Sequence, residues 1–311
     1  MKMKKSFIKT VILPLLAALI WGTAFAAQSV SADFVPPFTF NTARNIVAII
    51  PTGIMLAVFT AVRKRRGTYE KPSGGMKSLI IGGICCGTVL CIASSFQQTG
   101  LGETDAGKAS FITALYIVLV PLLGLFLRRR TGITTAISVA IAVVGMYLLC
   151  IGEGFSIQKS DVLVLICALC FALHILVIDH FAPSTDGIAL SLVQFIVCGI
   201  ESGILMIIFE RPTLDGIIAS LGSILYVGIF SSGVAYTLQI IAQKGSDPTV
   251  VSLLLSLESV FGALAGAVIL HEVMSGREYF GCALMLCAVM LSQIPTDVWK
   301  RLFGRIFKKK S

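Results

Sequence analysis

The second half of this chain repeats the first. At an offset of 142 residues, Asp105, Ser110, Leu115, Val118, Leu122 and Gly124 return as Asp247, Ser252, Leu257, Val260, Leu264 and Gly266. Slightly upstream the offset is 145, and Gly83, Ile84, Val89, Gln98 and Gly100 return as Gly228, Ile229, Val234, Gln243 and Gly245. Earlier still it is 150, with Ala18, Leu19, Ile46, Val47 and Ile50 answered by Ala168, Leu169, Ile196, Val197 and Ile200. The drift marks short loop deletions between segments of constant length. In an apolar chain such a duplication points to a membrane protein of two similar halves, a construction common among transporters, with the site between them.

The chain is apolar enough for that reading: 56% of its 311 residues are hydrophobic, 13% are charged, and its mean hydropathy is +0.92. Such a surface cannot all face water. Ten apolar stretches lie near 12–31, 37–62, 78–97, 106–127, 133–151, 161–178, 188–209, 221–241, 250–270 and 278–294. Each has roughly the 17–25 residues that cross a bilayer. Spanning backbone must satisfy its own hydrogen bonds, and these runs are too long and too evenly apolar for barrel strands, so they are predicted as helices.

A net charge of +9 raises the question of nucleic acid, but the distribution of the charges answers it. With the N-terminus in the cytoplasm, 20 Lys and Arg fall on inside segments and only Lys108, Lys159, Arg211 and Arg277 outside. Arg44 lies within a helix. That asymmetry is the positive-inside pattern of a multi-pass protein of the cell membrane with both termini cytoplasmic. No nucleic acid is needed as a partner. The basic tail Trp299–Lys310, with aromatic and aliphatic residues between its charges, is expected to rest on anionic lipid. The N-terminal lysines, apolar run and Ala24-Phe25-Ala26 imitate a signal peptide. Cleavage would remove the counterpart of 161–178, so the segment reads as an uncleaved first helix. The nine cysteines lie essentially within helices and imply no disulfide framework.

Five helices per repeat is an odd number, so the second repeat enters the membrane from the opposite side. The expected fold is all-α and polytopic: ten transmembrane helices in a 5+5 inverted repeat. Residues 1–155 form the first half, and 156–311 the second with its basic tail. Halves related in this way can rock about a central cavity and expose it to each side in turn.

Polar residues deep in the helices are the candidates for a site, because a charge at mid-bilayer costs about 2.5–3.5 kcal/mol unless paired or hydrated. Arg44 lies in the second helix with Asn41 on the same face, and it aligns with Gln194 in the repeat. Glu201 lies in the seventh helix and Glu258 in the ninth. Arg44 reads either as a counter-ion for a substrate carboxylate or as half of a structural pair with Glu258. Glu258 reads as a proton carrier, since protonation can discharge it. In the eighth helix Ser232, Tyr236, Gln239 and Gln243 form one polar stripe, expected to line a wet cavity. Trp21 shares a face of the first helix with Phe25 and Gln28.

His174, with Cys170 and Cys167 on its face, imitates a metal site, but three ligands on one straight helix converge poorly and no metal is expected. A cavity-facing or hydrogen-bonded histidine fits better. Gly102 to Ala109 nearly spells a phosphate-binding loop, yet it lacks the final Ser/Thr and a preceding strand. No domain remains to hydrolyse ATP, so transport is driven by gradients or is passive. The spacings Gly83–Gly87, Gly199–Gly203 and Gly262–Gly266 allow close helix contact.

Three segments together resemble the EamA-type drug/metabolite transporters. They are Ala18-Leu-Ile-Trp-Gly-Thr, the run Ala106 to Pro121, and Ser256-Leu-Glu-Ser-Val-Phe261 continuing to His271-Glu272. The resemblance covers nearly the whole chain. It implies a ten-helix carrier of small organic metabolites, amino acid-like or otherwise amphipathic, commonly directed outward. Trp21, Arg44, Tyr116, Gln194, Glu258 and Glu272 fall at positions often so occupied in that family, with Glu272 better suited to a cap or gate. His271 departs from the glycine common there. The expected substrate-binding set is thus Trp21, Arg44, Tyr116, His174, Gln194, Ser232, Tyr236 and Gln239, with Glu258 coupling to protons and no cofactor. Substrate identity and oligomeric state stay open. A polytopic enzyme using His174, Glu201 and Glu258 would need nucleophile–base or metal spacing that is missing, and a passive channel would show charged rings or a filter loop.

Overall fold

The computed structural model describes residues 7–69, 71–104, 106–128, 132–151, 158–269 and 274–293. His271, Glu272 and the tail Trp299–Lys310 lie outside the described residues. Every regular element among those described is a helix. A π-helical turn, Ile8–Ile12, leads into α1 (Leu13–Ala32). Then come α2 (Pro37–Arg65), α3 (Gly75–Leu101), α4 (Ala106–Ala114), α5 (Tyr116–Phe126) and α6 (Ile133–Cys150). The second half begins with α7 (Lys159–Phe181) and α8 (Gly187–Phe209), followed by the short α9 (Leu214–Ala219) and α10 (Leu221–Tyr226). A π-helix, Val227–Tyr236, joins α10 to α11 (Thr237–Gln243); α12 (Pro248–Leu255), α13 (Glu258–Ile269) and α14 (Gly276–Ser292) complete the chain. Among the described residues, eight helical stretches are long and apolar enough to cross a membrane. The chain is a multi-pass membrane protein.

Helix ends are set by local chemistry. Asp186 and Asp247 cap α8 and α12 by accepting backbone N–H groups of the first turn, and Pro248 follows Asp247 at the position where a missing N–H costs nothing. At the start of α2, both oxygens of Glu210 are engaged: Phe38 N donates at 2.8 Å, and Thr39 N and Thr39 Oγ1 at 2.7 Å each. A carboxylate there satisfies orphan donors and faces the positive end of the helix dipole. Capping boxes open α7 (Gln158 and Asp161) and α14 (Ser275 and Glu278).

The largest packing surfaces run between the halves: α6 against α14, α3 against α7 and α8, α2 against α8, and α1 against α13. Two glycines explain how closely the first of these pairs approaches. A Cβ added at Gly145 would lie 2.8 Å from the carbonyl oxygen of Gly281, and one at Gly281 would lie 2.6 Å from that of Gly145. In hydrocarbon, where helices gain little from hiding apolar surface, such close backbone contact is a main source of association.

Candidate functional site

Two helix breaks fall at equivalent places in the repeats. α4 ends at Ala114 and α5 begins at Tyr116, the chain turning through Leu115, whose N–H bonds the Ile112 carbonyl at 3.2 Å. α12 ends at Leu255 and α13 begins at Glu258, with Leu257 N–H on the Leu254 carbonyl at 3.3 Å. Interrupted backbone at membrane depth is tolerated only where it is buried in protein or lines a cavity. Leu115 and Leu257 correspond at the 142-residue offset, so Tyr116 and Glu258 correspond too. Their side chains meet, Tyr116 Oη donating to Glu258 Oε1 at 3.1 Å.

That contact borders a cavity of about 470 Å³. Its aromatic wall is Trp21 against Tyr236, with ring centroids 4.8 Å apart, and Trp21 Nε1 donates to the Ser231 carbonyl at 3.2 Å. Several lining residues come in repeat-equivalent pairs: Trp21 with Phe171 and Phe25 with Ile175 at the 150 offset, Thr113 with Leu255 and Tyr116 with Glu258 at the 142 offset.

Two charged side chains reach this space. Arg44 is 3% exposed; its Nη1 donates to Gln28 Oε1 at 2.9 Å, and its Cζ lies 6.0 Å from the Phe40 ring centroid. Nε has no hydrogen-bond partner, and among the described residues no carboxylate pairs with the guanidinium. Glu258 is likewise 3% exposed, and Tyr116 is its one hydrogen-bond partner among the described residues. The two do not form the ion pair that would make both purely structural.

The predicted residues divide into two groups. Trp21, Arg44, Tyr116, Tyr236, Gln239 and Glu258 line the cavity, and Gln239 Oε1 has no partner. His174 and Gln194 do not line it. They form a buried pair, His174 Nε2 lying 3.1 Å from Gln194 Oε1, with the His174 ring edge-on to Tyr236 at 5.9 Å. Ser232 is buried but absent from the wall, where Ser231 stands instead. The reason is the π-helix: its i→i+5 bonding brings Ser231, five residues before Tyr236, onto the face that an α-helix would give to Ser232. Gln243 lies beyond the cavity and donates to the Ile175 carbonyl at 2.9 Å. Glu201 accepts from Thr88 Oγ1 at 2.6 Å, between α8 and α3.

Gln28, Gln97, Thr113, Phe171 and Ile175 also line the site. Phe171 and Ile175 had a usable signal, since they are the repeat partners of Trp21 and Phe25. Gln97 and Thr113 had none beyond being polar within apolar helices.

A helical membrane bundle with a cavity of mixed polar and aromatic lining beside paired helix breaks is compatible with a transporter. The chain belongs to the EamA-like transporter family, whose model matches it twice, over residues 8–151 and 158–293. An uncharacterized transporter of Archaeoglobus fulgidus is 29% identical over 277 residues, covering 89% of this chain and 83% of its own. A chloroplastic WAT1-related protein of Arabidopsis thaliana is 25% identical over 288 residues, covering 88% and 67%. A solved crystal structure with 19% identity and a TM-score of 0.71 covers 91% of this chain and 96% of its own, a likeness of fold alone. The protein is a membrane transporter.

Proposed function

We propose that this transporter is a secondary carrier that exports small amphipathic metabolites bearing a carboxylate, by alternating access, with protons bound at Glu258 as the coupling ion. The observation that carries the reading is Arg44: a buried cation on the cavity wall with one neutral hydrogen bond and no carboxylate partner among the described residues. A charge so placed is costly unless something pairs with it in the working cycle. A substrate carboxylate is that partner, while Trp21, Tyr236 and Phe171 offer apolar surface for the rest of the solute. Glu258 changes by a full charge when it takes up or loses a proton, so the two forms of the cavity differ in affinity, which is the differential interaction coupling requires. The outward direction rests on the family resemblance.

Ten spans in a 5+5 inverted repeat, with halves at 1–155 and 156–311, belong to the same reading. Support comes from the repeat-equivalent pairs on the cavity wall and from the ion pairs. Arg63–Asp186 and Lys108–Asp161, each at 2.6 Å, join segments that this topology puts on one face of the membrane. The basic residues put both termini on the cytoplasmic side of the cell membrane.

The test is uptake and efflux in proteoliposomes, with and without a pH gradient, over small carboxylates and their amide or ester analogues. A carboxylate solute accumulated with the gradient, and its neutral analogue ignored, is the expected result. Equal transport of both, or none of either, defeats the assignment.

A further inference from the structure

Gln98 and Gln243 are repeat partners at the 145 offset, and they bond alike. Gln98 Nε2 donates to the Gln28 carbonyl on α1 at 3.0 Å, with Ser31 Oγ at 3.4 Å; Gln243 Nε2 donates to the Ile175 carbonyl on α7 at 2.9 Å. Each therefore ties the third membrane-crossing stretch of its half to the first, at a residue that lines the central cavity. In both, Oε1 is buried without a hydrogen-bond partner among the described residues. An amide placed only to complete a core has both ends satisfied as a rule. The two equivalent glutamines are each held by the NH₂ end alone.

Their positions differ. Gln28 lines the cavity, and Gln98 lines a separate groove of about 650 Å³ beside the turn Asp33–Pro37, so their bond joins the wall of one space to the wall of the other. At the opposite end Gln243 is followed by Lys244, which donates to the Thr185 carbonyl at 3.0 Å and accepts at its own carbonyl from Lys9.

We infer that Gln98 and Gln243 are matched latches at the two ends of the cavity, each released in turn as access alternates. This rests on the alternating-access reading above. A solute carrying N–H or O–H donors has an acceptor waiting at either exit in the unpartnered Oε1.

The experiment uses the full chain with Thr113→Cys, a cavity-lining position, as reporter. A membrane-impermeant thiol reagent is applied to one or the other face of sealed membranes, and labelling is read above the level of the parent chain. Gln98→Met keeps the size and loses the bond. It is expected to raise labelling from the Asp33–Pro37 face about two- to tenfold, the change that losing one net hydrogen bond brings. Gln243→Met should do so from the Lys244 face. Gln98→Asn and Gln243→Asn, which keep the amide but cannot reach the carbonyl, should act in the same directions and serve where a Met variant fails to fold. No change in any of the four, or an increase on the same face from both positions, overturns the latches and leaves the carrier reading standing. Failure of the reporter to label from one of the two faces under every condition, substrate gradients in either direction included, overturns alternating access, and the latches with it.

Discussion

Among the described residues, Arg44 reaches the cavity hydrogen-bonded only to the Gln28 amide, and Glu258 reaches it hydrogen-bonded only to the Tyr116 hydroxyl. Each side chain carries a separate prediction. Charge-assisted hydrogen bonds contribute about 1.5–3 kcal/mol, so Arg44→Gln should weaken binding of a carboxylate substrate at least tenfold. Its amide analogue should bind as to the wild type, a difference read by isothermal titration or by the half-saturating concentration in counterflow. Glu258→Gln fixes the discharged form. Gradient-driven accumulation should vanish in it while exchange of labelled for unlabelled substrate continues, because exchange needs no net proton movement. Accumulation by a well-expressed Glu258→Gln that still follows the pH gradient would remove the proton role. Tyr116→Phe, which deletes the one hydrogen bond to Glu258, should shift the pH dependence of flux without abolishing it.

The elements that carry these residues were only partly legible in the sequence. Apolar length disclosed the eight stretches that are long enough to cross among the described residues, and the 142 offset aligned Leu115 with Leu257, but neither signalled that the chain breaks there. The first break lies six residues before Pro121, which removes a helical N–H, and the second has no such residue. The polar stripe on the eighth predicted helix was readable at α-helical spacing, and of its members Tyr236 and Gln239 line the pocket in the structure. Ser231 stands there rather than Ser232, and the i→i+5 turn that carries both is a property of the packed bundle. Ser231→Cys should therefore react with a small thiol reagent that enters the cavity, and Ser232→Cys should not. Close packing offers a second check. A Cβ at Gly22 would fall 2.5 Å from the Glu258 carbonyl and 2.7 Å from Gly262 N, whereas nothing lies within 4 Å of one at Gly53. Gly22→Ala should cost about 1–3 kcal/mol by overpacking and lower the melting temperature in detergent. Gly53→Ala should leave it unchanged.

At the scale of the whole molecule, a repeat in sequence invites the picture of two domains side by side, and the packing departs from that picture. The broad contacts α6 with α14, α3 with α7 and α8, and α2 with α8 all join one half to the other, as does α1 with α13. A 150-residue periodicity identifies what is duplicated but is silent on which faces of the copies are sticky, since lipid and a partner helix are equally apolar neighbours. The glycines at 145 and 281 decide it locally: each needs the other's backbone, and neither finds that neighbour in its own half. Arg44 behaves the same way, sitting in the first half while Glu258, Tyr236 and Gln239 of the same cavity come from the second. A half expressed alone would expose its small-residue faces and its buried polar groups to lipid, with unmet hydrogen bonds costing several kcal/mol each. Residues 1–155 or 156–311 produced singly should therefore be degraded. Produced together as two chains, they should accumulate and co-purify, because the helices lost from one are supplied by the other and only the 152–157 connection is cut. Stable, monodisperse accumulation of either half by itself, judged by size-exclusion chromatography, would show that the interlocking contacts are dispensable.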